Sequence, residues 1–401
     1  MEMKTDITPR HVGVGTFSVN PRMRLYLNQV IDSGRISYGE KSLAFEKKFA
    51  KLHDCEYAIL SNSGTSALQV ALQAMKEING WEDGDEVIVP ATTFVATANI
   101  VLHNKMKPIF VDVDAVTYGI NPIQIEKVIS DKTRAIIPVH LFGQPCEMAA
   151  VMRIAEEHEL GIIEDSCETM FATHREHSVG SIGDIGCFST YVAHLLVTGV
   201  GGICTTSNPQ YAAKIRSLVN HGLELAHLNP GDNFAPNPTV GRRFKFDSIG
   251  HSYRITELEA AIGLAQLDDL YIDEMLKIRR RNARLMTSGL KIINREVHDT
   301  FSIPITLKHN THSWMMYPIL MDQSKSKETL MEYLNEHMVE TRDMLPILDQ
   351  PAYSYLDPDD FPTSRWILKS GFYTGVHQDL DPEDIEYVLQ TIRNYFDEQP
   401  V

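Results

Sequence analysis

Between residues 56 and 206 the chain alternates two hydrophobic patterns. Seven short runs are apolar at most positions: EYAIL (56–60), DEVIVP (85–90), KPIFVDV (107–113), RAIIPVHLF (134–142), GIIED (161–165), GCFSTY (186–191) and GGICTT (201–206). Between them, apolar residues recur at helical spacing. In SALQVALQAMKEI (66–78), Leu68, Ala71, Leu72 and Met75 share one face, and EMAAVMRIAEEHE (147–159) repeats the pattern. Strands with no polar face need cover on both sides. Their alternation with helices predicts a parallel-rich sheet between helical layers. Ligands of such sheets bind beyond the carboxyl ends of the strands.

Residues 208–250 break this rhythm. NPGDNFAPNPTVGRRFKFDS (229–248) is rich in Pro, Gly and Asn and reads as a long ordered loop. The stretch 255–286 has helical periodicity, as one helix or two, and bridges to a second unit. There KIINREV (291–297), SIPITL (302–307) and SWMMYPILM (313–321) predict strands, while 326–338 and 382–396 predict helices. The chain therefore divides into residues 1–265 and a smaller C-terminal α/β domain, 266–401.

The 401 residues are 43% hydrophobic and 22% charged, too apolar for a disordered chain. Lys and Arg number 37 against 53 Asp and Glu, a net charge of −16, which argues against nucleic acid as a partner. The five cysteines include no Cys-x-x-Cys pair, so no metal site is expected and a reducing compartment is the simplest reading. The start, MEMKTDITPRH, has no signal-like apolar core, and no apolar run is long enough to span a bilayer. A cytoplasmic protein is expected.

Candidate chemistry follows the strands in order. SNSGTSAL (61–68) ends a strand and opens a helix. Gly64 allows close approach, and helix-start amides with the Thr65 and Ser66 hydroxyls make an anion site. Alone, such a turn is more often a capped helix. Phe94, in PATTFVATANIV, could stack on a flat ring or fill the core. Asp165 ends GIIED, where a carboxylate could hold a protonated pyridine nitrogen or cap a turn. Ser189 and His194 then precede a Gly-Gly strand.

This order resembles the fold-type I pyridoxal phosphate enzymes, and within them the DegT/DnrJ/StrS sugar aminotransferase family. RISYGEKSLAFEKKFA (35–50) and SYRITELEAAIGLAQL (252–267) extend the resemblance over nearly the whole chain. It implies an α/β fold whose large domain holds a mostly parallel seven-stranded sheet. It also implies that Gly64, Thr65, Ser66 and Ser189 bind the coenzyme phosphate, that Phe94 stacks on the pyridine ring and that Asp165 pairs with its nitrogen. Family members are dimers, and GHSYR (250–254) would reach the neighbour's site.

The chain departs from the family where the Schiff-base lysine belongs. Val192-Ala193-His194-Leu195 occupies that segment, and no lysine lies between Lys132 and Lys214. Imidazole forms no stable imine, so the coenzyme would be untethered, alternating between pyridoxal and pyridoxamine phosphate. Histidine keeps the capacity for proton transfer near neutrality. The same replacement marks the sugar 3-dehydratase branch, and GFYTGVH (371–377) resembles that branch too. The resemblance thus implies loss of the 3-hydroxyl from a nucleotide-linked 4-keto-6-deoxyhexose, with glutamate as amino donor. An iron–sulfur type is not expected, because no cysteine follows Cys204. Two coenzyme-site positions also differ: Ser252 stands where Asn is usual, and Glu168 where Gln or His is common. In the long loop, Arg242, Arg243 and Lys245 could meet a diphosphate, though a solvated loop is the plainer reading. An atypical transaminase and a non-catalytic binding protein are the alternatives.

Overall fold

Seven of the strands in the computed structural model grow from the apolar runs. They are β1 (Tyr57–Ser61), β2 (Glu86–Pro90), β3 (Lys107–Val111), β4 (Thr133–Ile136), β5 (Gly161–Asp165), β8 (Ile185–Ser189) and β9 (Gly202–Thr206), with a small hairpin, β6 (Thr173–His174) and β7 (His177–Ser178), between. The seven pair into one sheet of order β3-β2-β4-β5-β8-β9-β1. The structure describes residues 9–224, 245–298, 300–345 and 347–398. Only β9 runs antiparallel to its neighbours, β8 and β1. The expected α/β fold with a mostly parallel sheet is present.

Both sheet faces are covered, as the unbroken apolar runs require. Val87, Val89 and Ile163 pack with Leu68, Leu72 and Met75 of the Gly64–Asn79 helix on one face. Their neighbours Ile88 and Ile162 turn to the other, against Val151 and Ile154. Ser63 caps the Gly64–Asn79 helix by accepting the Ser66 amide at 3.0 Å.

The topology brings three strand ends to one edge. Ser61, Asp165 and Ser189 close β1, β5 and β8. Because β9 is reversed, its first residue, Gly202, pairs with both Ser61 and Ser189. A side chain on Gly202 would run into the Ser63 carbonyl, so this glycine lets the turn after β1 fold across the sheet edge.

A second, antiparallel sheet has the order β10 (Phe301–Ser302), β11 (Tyr317–Met321), β13 (Gly371–Thr374), β12 (Thr341–Asp343). Three sequence expectations change here. KIINREV is helical, the end of the Asp269–Glu296 helix. Met286, Leu290 and Ile293 recur every three to four residues and pack on Phe301 and Val388, so helical periodicity prevails over the β-branched run. SIPITL contributes only Ser302 to a strand. The regular strand in RAIIPVHLF ends at Ile136, two residues before Pro138, although Val139 still bridges to Asp165. The 255–286 stretch divides into the helices Glu257–Gln266 and Asp269–Glu296, the latter capped by Asp268. No helix among the described residues is long and apolar enough to cross a membrane.

Candidate active site

The amides of Gly64 and Thr65 open their helix and have no preceding helical carbonyls to pair with, which makes this end a natural anion site. A Cβ on Gly64 would lie 2.7 Å from Cys167 Sγ and 2.8 Å from Ser189 Cβ, so Ser189 sits directly against the turn. The Thr65 side chain is exposed. The Ser66 hydroxyl donates to Asn62 Oδ1 at 2.7 Å, which spends its proton inside the turn. Gly64→Ala is expected to weaken pyridoxal phosphate binding at least tenfold, because the clash displaces either Ser189 or the helix start; fluorescence titration of the full chain reads it.

Asp165 is 4% exposed. Its Oδ2 accepts from Thr97 Oγ1 at 2.7 Å and its Oδ1 from the Cys167 amide at 3.2 Å. Burial pushes the carboxyl above its ordinary value, and these donors oppose the rise. Thr97 is bonded in turn to Thr93 at 2.7 Å, and its amide donates to the Phe94 carbonyl at 3.2 Å. Phe94 thus begins the helix that braces Asp165. At 59% exposure its ring is no core residue, which removes the bland reading of that position. The sequence reading missed Thr93 and Thr97, although hydroxyls four apart around Phe94 were a usable signal.

Glu168 accepts the Phe142 amide at 3.0 Å. Phe142 has φ 58°, the left-handed region that a bulky residue rarely takes. Burial raises the Glu168 carboxyl to about 7, with Asp165 adding to the rise. Tyr373 of β13 lies near enough for Glu168 to raise its hydroxyl further beyond what burial does. A carboxyl that stays protonated longer in the folded state stabilises it most below the ordinary carboxyl value, about 4.5, and that contribution is lost as pH rises toward 7. Glu168→Gln is therefore expected to flatten the fall in stability of the coenzyme-free protein between pH 4.5 and 7, by a few kcal/mol at most. Urea midpoints across that range check it.

His194 sits on a turn clamped at its base. Thr190 and Thr198 hydroxyls bond at 2.5 Å, and Gln266 accepts from the Val197 amide at 3.2 Å and donates to its carbonyl at 2.6 Å. The His194 amide closes the tip onto the Tyr191 carbonyl at 2.9 Å. The imidazole Nδ1 is buried and makes no well-formed hydrogen bond among the described residues, although the Tyr191 backbone lies close enough to the ring to oppose the fall in its pKa. Burial lowers the ring to about 4, so it is neutral at pH 7 and able to accept a proton.

Ser252 is exposed, and its hydroxyl accepts from Arg254 at 3.1 Å. With Asn220, Arg254 and Tyr38 it lines a cleft of about 580 Å³. The next residue reaches the phosphate-type turn of its own chain: the Tyr253 carbonyl accepts the Asn62 amide at 2.6 Å. Arg242 and Arg243 lie outside the described residues. Lys245 is paired with Glu224 at 2.6 Å.

A turn of amides and hydroxyls suits a phosphate, and a buried carboxylate at a neighbouring strand end suits a pyridine nitrogen. Together with the reversed β9, this defines the class: a pyridoxal phosphate enzyme of fold type I. Residues 19–393 match the model of the DegT/DnrJ/EryC1/StrS aminotransferase family, and the chain belongs to that family. It is 34% identical over 373 residues to GDP-perosamine synthase of Caulobacter vibrioides, covering 92% of this chain and 94% of the relative. An aminotransferase structure from Psychrobacter cryohalolentis superposes with TM-score 0.84 at 30% identity, covering 95% of this chain and 98% of that one. Escherichia coli GDP-4-keto-6-deoxy-D-mannose 3-dehydratase, solved with hydrated pyridoxal phosphate, gives TM-score 0.84 at 24% identity over 96% and 99% of the two chains, a likeness of fold. Pyridoxal phosphate is the coenzyme of this sugar-modifying enzyme family.

Proposed function

We propose that this protein is a dehydratase that removes the 3-hydroxyl of a nucleotide-linked 4-keto-6-deoxyhexose, with glutamate as amino donor, working as a homodimer. The observation that carries the reading is His194. It occupies the turn before Gly201 and Gly202, its Nδ1 makes no well-formed hydrogen bond among the described residues, and no lysine lies between Lys132 and Lys214.

Gly64, Thr65, Ser66 and Ser189 would hold the coenzyme phosphate, Ser66 once its hydroxyl turns from Asn62. Phe94 would cover one ring face, Asp165 would pair with the ring nitrogen, and Glu168 would face the ring or the sugar. Ser252 would serve the neighbouring subunit. When bound as pyridoxamine phosphate, the coenzyme supplies an amine for the 4-keto carbon and a ring that takes up electrons. Departure of a hydroxyl as water needs one proton, and forming the double bond releases one. The neutral His194 imidazole can take up the second and return it as the first. Paired with the ring nitrogen, Asp165 would hold negative charge beside the ring. The turn's lack of a primary amine leaves the coenzyme untethered.

Sugar transamination is the second reading, favoured by the match to an aminotransferase family model over residues 19–393 and by the likeness to the Psychrobacter cryohalolentis aminotransferase. Purified protein, pyridoxal phosphate and glutamate separate the readings. Loss of the aldehyde absorbance with release of 2-oxoglutarate supports either enzyme. Addition of a GDP-linked 4-keto-6-deoxyhexose then gives ammonia and a 3-deoxy sugar from a dehydratase, or an amino sugar from a transaminase. Failure to bind the coenzyme would leave a non-catalytic binding protein.

A further inference from the structure

The turn that carries His194 has few bonds of its own beyond its clamped base, and a segment from the start of the chain supports its tip. Residues 12–15 run beside the end of the Lys327–Glu336 helix and the approach to β12. Val12 forms a parallel bridge with Val339, its amide donating to Met338 at 2.9 Å and its carbonyl accepting from Glu340 at 2.8 Å. Glu340 then clips the segment a second time, as its Oε2 accepts the Val14 amide at 3.0 Å. The same side chain receives Arg342 Nη2 on Oε1 at 2.7 Å. Gly375 passes so close that a side chain there would strike the Gly13 carbonyl. Thr16 and Ser18 both donate to Asp379 at 2.5 Å.

Held on that side, the segment presses on the reactive turn with the other. A Cβ on Gly15 would lie 2.8 Å from Ala193 Cα and 3.3 Å from the Val192 carbonyl. Val12 belongs to the core of the second sheet, whereas Val14 packs in the core that includes Ala193 and Leu195. The segment therefore joins two cores, and its contact with the turn is backbone to backbone, next to His194.

We propose that residues 12–15 form a strap that positions the His194 turn from the second sheet, with Gly15 as the contact and Glu340 as the positioning residue that anchors it. A purely structural edge segment would tolerate displacement at Gly15 without moving the imidazole. A positioning strap would not, because Ala193 is joined directly to His194 and carries it along when pushed. The consequence for turnover rests on His194 being the proton carrier; the positional claim does not.

The test uses the full chain labelled at histidine Cε1 and followed by NMR, with the His194 signal assigned by its loss in His194→Asn. In Gly15→Ala the signal is expected to move, and its titration midpoint to rise toward the ordinary histidine value of about 6.5 as the turn opens. Dehydration kcat is expected to fall about ten- to a hundredfold with KM within about threefold, the scale for a misplacement near 1 Å. Glu340→Ala should act in the same direction, and Glu340→Gln, which keeps an acceptor for the Val14 amide, should stay close to wild type. Should Gly15→Ala fail to fold, the Glu340 pair decides. An unchanged His194 signal and titration in Gly15→Ala and Glu340→Ala overturns the strap. If wild type dehydrates nothing, the NMR arm still reads the strap, so the two failures are distinct.

Discussion

His194→Asn is expected to keep pyridoxal phosphate affinity within a few-fold and to lose about 10²–10⁴ in turnover, the range for removal of a positioned acid–base group. Asparagine is close to the imidazole in size but cannot take up a proton, so the turn keeps its packing while proton transfer stops. Nδ1 makes no well-formed hydrogen bond among the described residues, so the substitution breaks little beyond the ring's approach to the Tyr191 backbone. His194→Lys should act differently. A primary amine at this point can bond the coenzyme aldehyde. Borohydride reduction followed by mass spectrometry should therefore find the coenzyme attached at position 194 in that variant and in no other, with poor dehydration. Undiminished dehydration by either variant would show that the proton is carried elsewhere. The pH profile adds a constraint. Burial holds the imidazole near 4, below the usual value for a neutral-pH base. An anionic ligand nearby raises such a group, so the midpoint should climb when a nucleotide sugar binds.

Asp165→Asn should have opposite effects on catalysis and on stability. The carboxylate is almost fully buried, and Thr97 and the Cys167 amide are its donors. If Asp165 pairs with the ring nitrogen as proposed, the amide would replace half of a buried ion pair. Such losses cost about 3–5 kcal/mol, or about 10²–10⁴ in rate when the pair supports the reaction. Without the coenzyme the sign reverses. Burial raises the carboxyl, so the folded state is stabilised by its proton at low pH and loses that stabilisation as pH rises through the raised value. Thr97 and the Cys167 amide offset the burial only in part, so the coenzyme-free asparagine variant should melt at a higher temperature than wild type above that raised value. Calorimetry with and without coenzyme, beside single-turnover rates, tests both halves. A variant less stable than wild type without coenzyme would mean that the carboxylate is compensated within the protein.

Much of the site was legible because its members stand at strand ends. A carboxylate at the close of GIIED, a Ser-Gly-Thr turn after an apolar run and a histidine before Gly-Gly each fall at the end of the sheet where ligands of such folds bind, which is what made them candidates. The exposure of Phe94 needed the structure, since a phenylalanine beside apolar residues reads equally as core. The KIINREV segment misled for a related reason. A run of seven residues supports either period, and only packing against Phe301 and Val388 selects the helix.

Local pattern along the chain was enough for the alternating architecture, because that depends on residue type and short-range spacing, whereas the reading of His194 as standing in a lysine's place came from the resemblance to the aminotransferase family. Tertiary structure alone decided that β9 reverses to bring Ser61, Ser189 and Gly202 to one edge, that Thr97 braces Asp165, and that Gly15 meets Ala193 from far away in the chain. Those contacts join residues tens to hundreds of positions apart, and side-chain periodicity carries no information about which distant surfaces close on each other.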